Sequence, residues 1–144
     1  IGMSVAKGLA LAQGIPLVGV PSLYALAHAH RERGLPLWAL IAAGRGRFAA
    51  AFFAPDAPWP APEDYRIARL DALIPPPDAA ALYVGELTAR DRAALREQWG
   101  ARAALTDSAA SLRRAGYLAE LGWQRLARGE ADDLSALSPI YPPM

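Results

Sequence analysis

The sequence predicts an α/β domain in which a mixed sheet is flanked by helices. Apolar runs of strand length alternate with segments whose apolar residues recur at helical spacing, and this alternation is typical of α/β folds. Two of the runs, LWALIAA and FAAAFFA, are separated only by residues 44–47, which include two glycines. They therefore predict an antiparallel hairpin. Thr88, with Asp91 three positions later, is a variant of the pattern that begins many helices.

The opening segment, residues 1–26, predicts a helix, a tight turn, a buried strand and the start of a second helix. The first helix should cover residues 1–13, because Gly14 suits the left-handed conformation of a helix end. The short apolar run 17–20 is typical of a strand buried on both faces. The second helix is expected over residues 22–33.

The remainder of the chain continues the alternation. The two hairpin strands have almost no polar residues, so we expect both faces of the sheet to be covered. The last helix is the longest, and its apolar spacing predicts that it covers the sheet and turns Trp123 toward the core. The further expected elements are strands at 37–43, 48–54, 65–70, 81–84 and 102–105, and helices at 89–99 and 109–128.

Composition narrows the class of protein. The chain has 144 residues, of which 53% are hydrophobic and 20% charged, as expected for a globular domain. The net charge of +1 gives no global electrostatic case for binding nucleic acid. The absence of cysteine excludes a disulfide framework and a thiolate metal site. No apolar run approaches the roughly 18 residues of a membrane span, so we expect a cytoplasmic protein with no membrane partner.

The residues that could carry chemistry do not form a recognisable active site. His28 and His30 are two positions apart, which places them on different faces of a helix, whereas a metal-binding pair needs a spacing of four. Residues 44–46 are too short for a dinucleotide loop and lie between strands. The acidic pairs 63–64 and 132–133 are typical of solvated loops. The sequence therefore predicts no catalytic residue, no bound cofactor and no metal site.

The first helix carries a strip of small residues. Ser4, Gly8 and Ala12 follow each other at every fourth position, and Val5 and Leu9 lie beside them. A glycine inside a helix costs up to about 1 kcal/mol relative to alanine, which is tolerable where another backbone comes very close. Two interpretations remain open. The helix packs tightly on its own sheet, or its smooth face meets a helix of another chain.

Residues 2–27, GMSVAKGLALAQGIPLVGVPSLYALA, resemble the segment that follows the glycine-rich GPGSFTGLR stretch of the TsaB (YeaZ) family. These proteins act in tRNA threonylcarbamoyladenosine (t6A) biosynthesis and were once grouped with glycoprotease-like, peptidase M22 relatives. The resemblance implies an actin-like (ASKHA, ribonuclease H-like) fold, of which this chain is the C-terminal half. We expect residues 1–34 to be a helix–strand–helix remnant linking to a missing N-terminal subdomain, and residues 35–144 to be the C-terminal subdomain. The chain is accordingly expected to be a fragment or the product of a late gene start.

The resemblance is weaker at the hairpin. The family sequence there reads I-D-A-R-x-G-E-V-Y, whereas this chain has Ala42, Gly44, Arg47 and Ala49 in place of its Asp, Arg, Glu and Tyr. The turn glycine is kept and the polar groups are lost, so any function of those groups is in doubt here. Arg45 and Arg47 are expected to be solvated, with contact to phosphate as the alternative.

By resemblance, the chain is a noncatalytic scaffold that pairs with a TsaD-like catalytic subunit and works with a TsaE-like ATPase. ATP, metal and chemistry would then belong to the partners, and tRNA would be contacted only indirectly. A homodimer is an alternative pairing. The expected interface residues are Ser4, Val5, Gly8, Leu9 and Ala12. Two other readings stay open: a glycoprotease-like (M22) or ASKHA-type ATP-binding enzyme, and a diverged paralogue that lost the t6A role.

Overall fold

A computed structural model describes residues 1–142, so the last two residues of the expected 35–144 subdomain lie outside it. Within these described residues there are four helices and five strands, with short 3₁₀ turns between several of them. The helices are α1 (Gly2–Gln13), α2 (Ser22–His28), α3 (Ala89–Trp99) and α4 (Ala115–Ala127). The strands are β1 (Leu37–Ala42), β2 (Phe48–Phe53), β3 (Arg66–Ala68), β4 (Ala81–Gly85) and β5 (Ala103–Leu105).

The five strands form one mixed sheet in the order β3-β2-β1-β4-β5. β1 and β2 make the predicted hairpin, in which Leu37 pairs with Phe53 and Ala42 with Phe48. β2 and β3 are antiparallel, whereas β1, β4 and β5 run parallel. The mixed sheet with flanking helices confirms the α/β class that the sequence predicts.

Both faces of the sheet are covered, which explains why the strands are apolar throughout. On one face, Leu23 and Leu26 of α2 pack with Leu37 and Ala39 of β1. On the other face, Leu95 of α3 joins a cluster that is built on alternate strand residues: Trp38, Leu40, Ala50, Ala81 and Tyr83. Successive side chains of a strand point to opposite faces, so a strand that is buried on both faces has no polar position.

The segment 17–20 is irregular, so the prediction of a buried strand there was wrong. A strand requires a neighbouring strand to share its ladder of hydrogen bonds, and the sheet described above has none beside this segment. The segment is held instead by the loop after α4, where the Asp132 N–H donates to the Leu17 carbonyl oxygen at 2.9 Å. Its four residues are half-buried, so the apolar run indicated contact with the domain but not the absence of a neighbouring strand.

The predicted second helix ends early, at His28, and the chain continues as a turn and a short 3₁₀ helix, Arg31–Arg33. His30 is buried, and its Nε2 lies 2.8 Å from the carbonyl oxygen of Ala110. This distant contact favours the tighter turn at the end of the helix. Gly34 then closes the segment with a φ of 62°.

The last helix also differs from the prediction, since it begins at Ala115 and not near residue 109. The residues Ser108–Ser111 form a 3₁₀ turn, in which the Ser111 hydroxyl bonds that of Thr106 at 2.6 Å. Because α4 packs on α2 and not on the sheet, its inner face is a different one from that predicted. Trp123 is consequently 70% exposed.

Candidate subunit interface

The five predicted interface residues lie together on the exposed face of α1. Val5 is 57% and Leu9 55% exposed, and the three small residues of the strip are exposed as well. Ile1 and Leu11 extend this apolar surface at either end. The opposite side of the helix, with Met3, Ala6, Lys7 and Ala10, is partly or fully buried. The strip is therefore not covered by residues 1–142.

The interior glycine of α1 is not explained by packing within the chain. A Cβ atom added at Gly8 would have no heavy atom within 4 Å. A glycine in the middle of an exposed helix costs stability without a compensating contact. Of the two interpretations left open by the sequence, packing on its own sheet does not occur among the described residues. The pairing role assigned to these five residues stays a prediction.

A polar cluster joins the segment after α1 to α4 and to the loop that follows it. Asp132 accepts a hydrogen bond from the backbone N–H of Gly19 at 2.6 Å, and Arg125 donates one to the Gly19 carbonyl oxygen at 2.8 Å. Arg125 also donates to both carboxylate oxygens of Asp132, at 3.0 and 3.2 Å. We call these three residues the Gly19 clamp. It links positions more than 100 residues apart, and it fixes the connection through which α1 meets the domain.

Electrostatic attraction and close packing both stabilise the Gly19 clamp. The guanidinium of Arg125 and the Gly19 N–H lower the pKa of the Asp132 carboxyl, because both stabilise the ionised form. The carboxylates of Asp132 and Glu130 in turn raise the pKa of Arg125, because both stabilise its charged form. Space at Gly19 is restricted, since an added Cβ would lie 2.7 Å from a methyl carbon of Leu137. Asp132 is therefore not the solvated loop residue that the sequence predicts.

The contact between α2 and α4 is built around a buried histidine. The ring of His28 lies edge-on to Trp59 and Tyr117, and its Nε2 is 3.4 Å from a carboxylate oxygen of Glu120. Trp59 in turn packs against Tyr24 and Phe53 and is partly buried at the margin of the core. These contacts hold α4 against α2, and α4 supplies Arg125 to the Gly19 clamp.

Neither histidine takes part in a group of ligands. Within residues 1–142, no three side chains of His, Asp or Glu are close enough to hold a metal ion. His30 is held by the Ala110 carbonyl, and burial lowers the pKa of its imidazole. In the same part of the chain, none of the helices combines the length and apolar character that crossing a membrane requires.

Comparison with known proteins adds to this geometry. The family model of TsaD, tRNA N6-adenosine threonylcarbamoyltransferase, matches residues 1–55, which contain α1, the clamped segment and the hairpin. One solved structure, of an uncharacterised protein with similarity to peptidase YeaZ from Pseudomonas aeruginosa, has a TM-score of 0.74 at 23% identity. A second, YeaZ from Pseudomonas aeruginosa, has a TM-score of 0.64 at 24% identity. The chain shares its fold with the matched part of the YeaZ structures.

The similarity to the YeaZ structures covers 99% and 97% of this chain, but only 66% of each of the two solved chains. No curated protein sequence matches the chain. The comparisons thus confirm the resemblance to the YeaZ fold that the opening segment indicated. The division at residue 34 into a remnant and a subdomain stays a prediction.

The sequence indicated the exposed strip but not the clamp. Spacing along a helix is a local property, so Ser4, Gly8 and Ala12 could be placed on one face from the sequence. Arg125 and Asp132 meet Gly19 across more than 100 residues, and no local pattern reports such a contact. The one available signal was Gly19 itself, a glycine inside an apolar run, which often marks a close approach.

Proposed function

We propose that this chain is a noncatalytic partner subunit in the cytoplasmic transfer of a threonylcarbamoyl group to adenosine 37 of tRNA. It would pair with a TsaD-like catalytic subunit. The exposed face of α1 carries this proposal: it is apolar, contains small residues, and lies within the segment that the TsaD family model matches. The YeaZ fold of the chain is consistent with the same assignment.

The physical basis of the pairing is a close contact between helices. The distance between two packed helices is set by the side chains at their contact, so Gly and Ala permit the nearest approach. Val5 and Leu9 would then bury apolar surface on either side of the glycine. Under this proposal, the binding of ATP and metal and the transfer reaction belong to the TsaD-like subunit and a TsaE-like ATPase. A homodimer through the same face would compete with this pairing.

Replacing Gly8 by leucine should weaken pairing with the TsaD-like subunit at least tenfold, which corresponds to about 1.4 kcal/mol. The added side chain would separate the two helices, while α1 itself should remain folded because nothing surrounds Gly8. The measurement is a titration calorimetry experiment with the protein as its gene encodes it. Gly116→Leu is the matched control, since Gly116 is also exposed and helical and lies on α4. Unchanged affinity in Gly8→Leu would remove α1 from the interface.

The biological role can be tested by deleting the gene and measuring t6A in total tRNA by nucleoside mass spectrometry. A partner subunit of the transfer complex predicts that t6A falls strongly. Complementation by the wild-type gene, but not by the Gly8→Leu form, would connect that loss to pairing. An unchanged t6A level would identify the chain as a diverged paralogue that kept the fold and lost the role.

A second candidate follows from the same family match, because TsaD is a transferase. On this reading the chain itself contributes to an ATP-binding or glycoprotease-like enzyme. Metal analysis of the purified protein, together with calorimetry with ATP, separates the two candidates. Stoichiometric metal or specific ATP binding in the absence of any partner would favour the enzyme. Both should be absent if the chain is a scaffold.

A further inference from the structure

One edge of the sheet collects a large share of the cationic side chains. The parallel strands β1, β4 and β5 all end at this edge, and the segments that follow them are residues 43–47, 86–92 and 106–114. These segments contain six arginines and three acidic residues, a net charge of +3, although the whole chain has a net charge of only +1. The six residues, which we call the arginine edge, are Arg45, Arg47, Arg90, Arg92, Arg113 and Arg114.

Backbone dipoles add to the positive charge at this edge. Arg90 and Arg92 lie in the first turn of α3, and Arg113 and Arg114 directly precede α4. The N-terminus of a helix carries a partial positive charge, so cations are unfavourable there. The first turn of α4 contains no acidic residue to offset them. Four arginines at two helix N-termini produce a field that favours a bound anion.

Few of these arginines have an anionic partner in the part of the chain that the structure describes. Arg113 pairs with Glu86, and it is the one member of the six with a carboxylate within salt-bridge distance there. Arg92 and Arg114 donate to the neutral carbonyl oxygens of Thr106 and Ala109. Asp91 is occupied by the cap at Thr88. The charge of the edge is therefore largely uncompensated.

The conformation of Arg45 supports a role for its side chain. It has a φ of 55° and lies between Gly44 and Gly46, whose φ values are 77° and 69°. Three consecutive residues in the left-handed region suit glycine or asparagine, and an arginine there is strained. The residue is exposed at the tip of the hairpin. The turn is closed by the Arg47 N–H, which donates to the Gly44 carbonyl oxygen at 3.1 Å, and a hairpin turn of this kind requires positive φ at its central residues. The turn therefore holds Arg45 at an exposed tip, where its side chain is accessible to a ligand.

We propose that the arginine edge binds the phosphate backbone of RNA. Arginine contacts phosphate with two parallel hydrogen bonds, and all six cations here are arginines. They follow three strands that lie about 4.8 Å apart in the sheet. Four of them are exposed, namely Arg45, Arg90, Arg113 and Arg114, so the accessible charges are distributed over the three segments and do not converge on one pocket. The N-terminus of α3 is closed by its own capping contacts with Asp91, which leaves no cradle for the phosphate of a free nucleotide.

The identity of the RNA rests on the proposed function, under which it is the tRNA substrate. Direct contact through this edge replaces the expectation that tRNA is reached only through the partner subunits. The contact would be independent of sequence, since arginine contacts to phosphate position a nucleic acid without reading its bases. The arginine edge and the exposed face of α1 share no residue, so the two activities can be separated by mutation.

The test is fluorescence anisotropy with labelled, unmodified tRNA at several salt concentrations. The variant Arg45→Gln/Arg90→Gln/Arg114→Gln removes three exposed cations of the edge. It should weaken binding at least tenfold and reduce the slope of log affinity against log salt by about 2 to 3. The control Arg31→Gln/Arg33→Gln/Arg96→Gln removes the same charge elsewhere and should change affinity less than twofold. Equal loss in both variants, or no binding by the wild-type protein, would overturn the proposal.

Three further measurements test the RNA site independently of protein folding and of the proposed function. Arg45→Gly relieves the strained φ, so it should raise the melting temperature while still weakening tRNA binding. Polyglutamate and ATP at equal total charge should not displace the tRNA, and displacement by either would overturn the assignment to RNA. Gly8→Leu should leave tRNA affinity unchanged. If pairing fails while tRNA binding persists, the proposed function is wrong and the RNA site stands.

Discussion

Replacing Gly85 by alanine should unfold the domain or destabilise it by at least about 4 kcal/mol. Gly85 is the last residue of β4, is fully buried, and pairs with Leu40 of β1. Its φ is 135°, and an added Cβ would lie 1.8 Å from the Leu40 carbonyl oxygen. That atom is backbone in the centre of the sheet, so it cannot move aside. Separating β1 from β4 would disrupt the clusters on both faces.

Urea unfolding followed by circular dichroism measures this effect, with Gly34→Ala as the matched control. Gly34 also has a positive φ, of 62°, in the left-handed region, but an added Cβ there would meet nothing within 4 Å. It should therefore cost only the conformational strain of about 1 kcal/mol. If the two variants unfold at the same urea concentration, the close contact between β1 and β4 is not a determinant of stability.

The fold was predictable where a local pattern and the tertiary contact agree. The two runs on either side of residues 44–47 predicted the hairpin, because turn glycines and apolar strands are both local signals. The same holds for α3, whose Thr88 side chain accepts from the Asp91 N–H as expected. Segment 17–20 was mispredicted because its apolar run could not show whether a neighbouring strand exists. An apolar run indicates contact with the rest of the domain, but it does not show whether a neighbouring strand is present to pair with it.

Trp123 shows that helical spacing alone does not identify which face of a helix is buried. Its spacing with Leu126 predicted a face turned to the core, but the row that faces α2 includes Tyr117 and Leu121. Residue 123 lies about 120° around the helix axis from that row. Both rows are apolar, so periodicity could not choose between them. The contact between Tyr117 and His28 of α2 determines which row is buried.

The second large effect is expected at the Gly19 clamp, where Asp132→Ala should cost about 2 kcal/mol. The change removes a charge-assisted pair of hydrogen bonds to Arg125 and leaves the Gly19 N–H without its acceptor. It should also release the segment after α1 before the rest of the domain unfolds. Hydrogen exchange at the Gly19 amide reports this local opening, and its protection should fall with the loss of the carboxylate.

The adjacent residue supplies the control for this prediction. Asp133 accepts hydrogen bonds from the N–H and hydroxyl of Ser135, two residues away, and contacts no distant segment through them. Asp133→Ala should therefore change the free energy of unfolding by less than about 0.5 kcal/mol and leave Gly19 protected. If Asp133→Ala exposes the Gly19 amide as much as Asp132→Ala does, the loop as a whole fixes the segment and the clamp does not.

The pH dependence separates the charge of Asp132 from its shape. Asp132→Asn keeps an oxygen that can accept from the Gly19 N–H but cannot form the ion pair with Arg125. The pKa of Asp132 is lowered in the folded state, and that of an unfolded aspartate is about 3.9. The stabilisation is thus fully present above the unfolded pKa and is lost as the pH falls through the folded one. The difference in unfolding free energy between wild type and Asp132→Asn should accordingly be constant near neutral pH and shrink below about pH 4. A difference that stays constant to lower pH would mean that the ion pair contributes nothing and that the hydrogen bonds at Gly19 and Leu17 hold the segment without it.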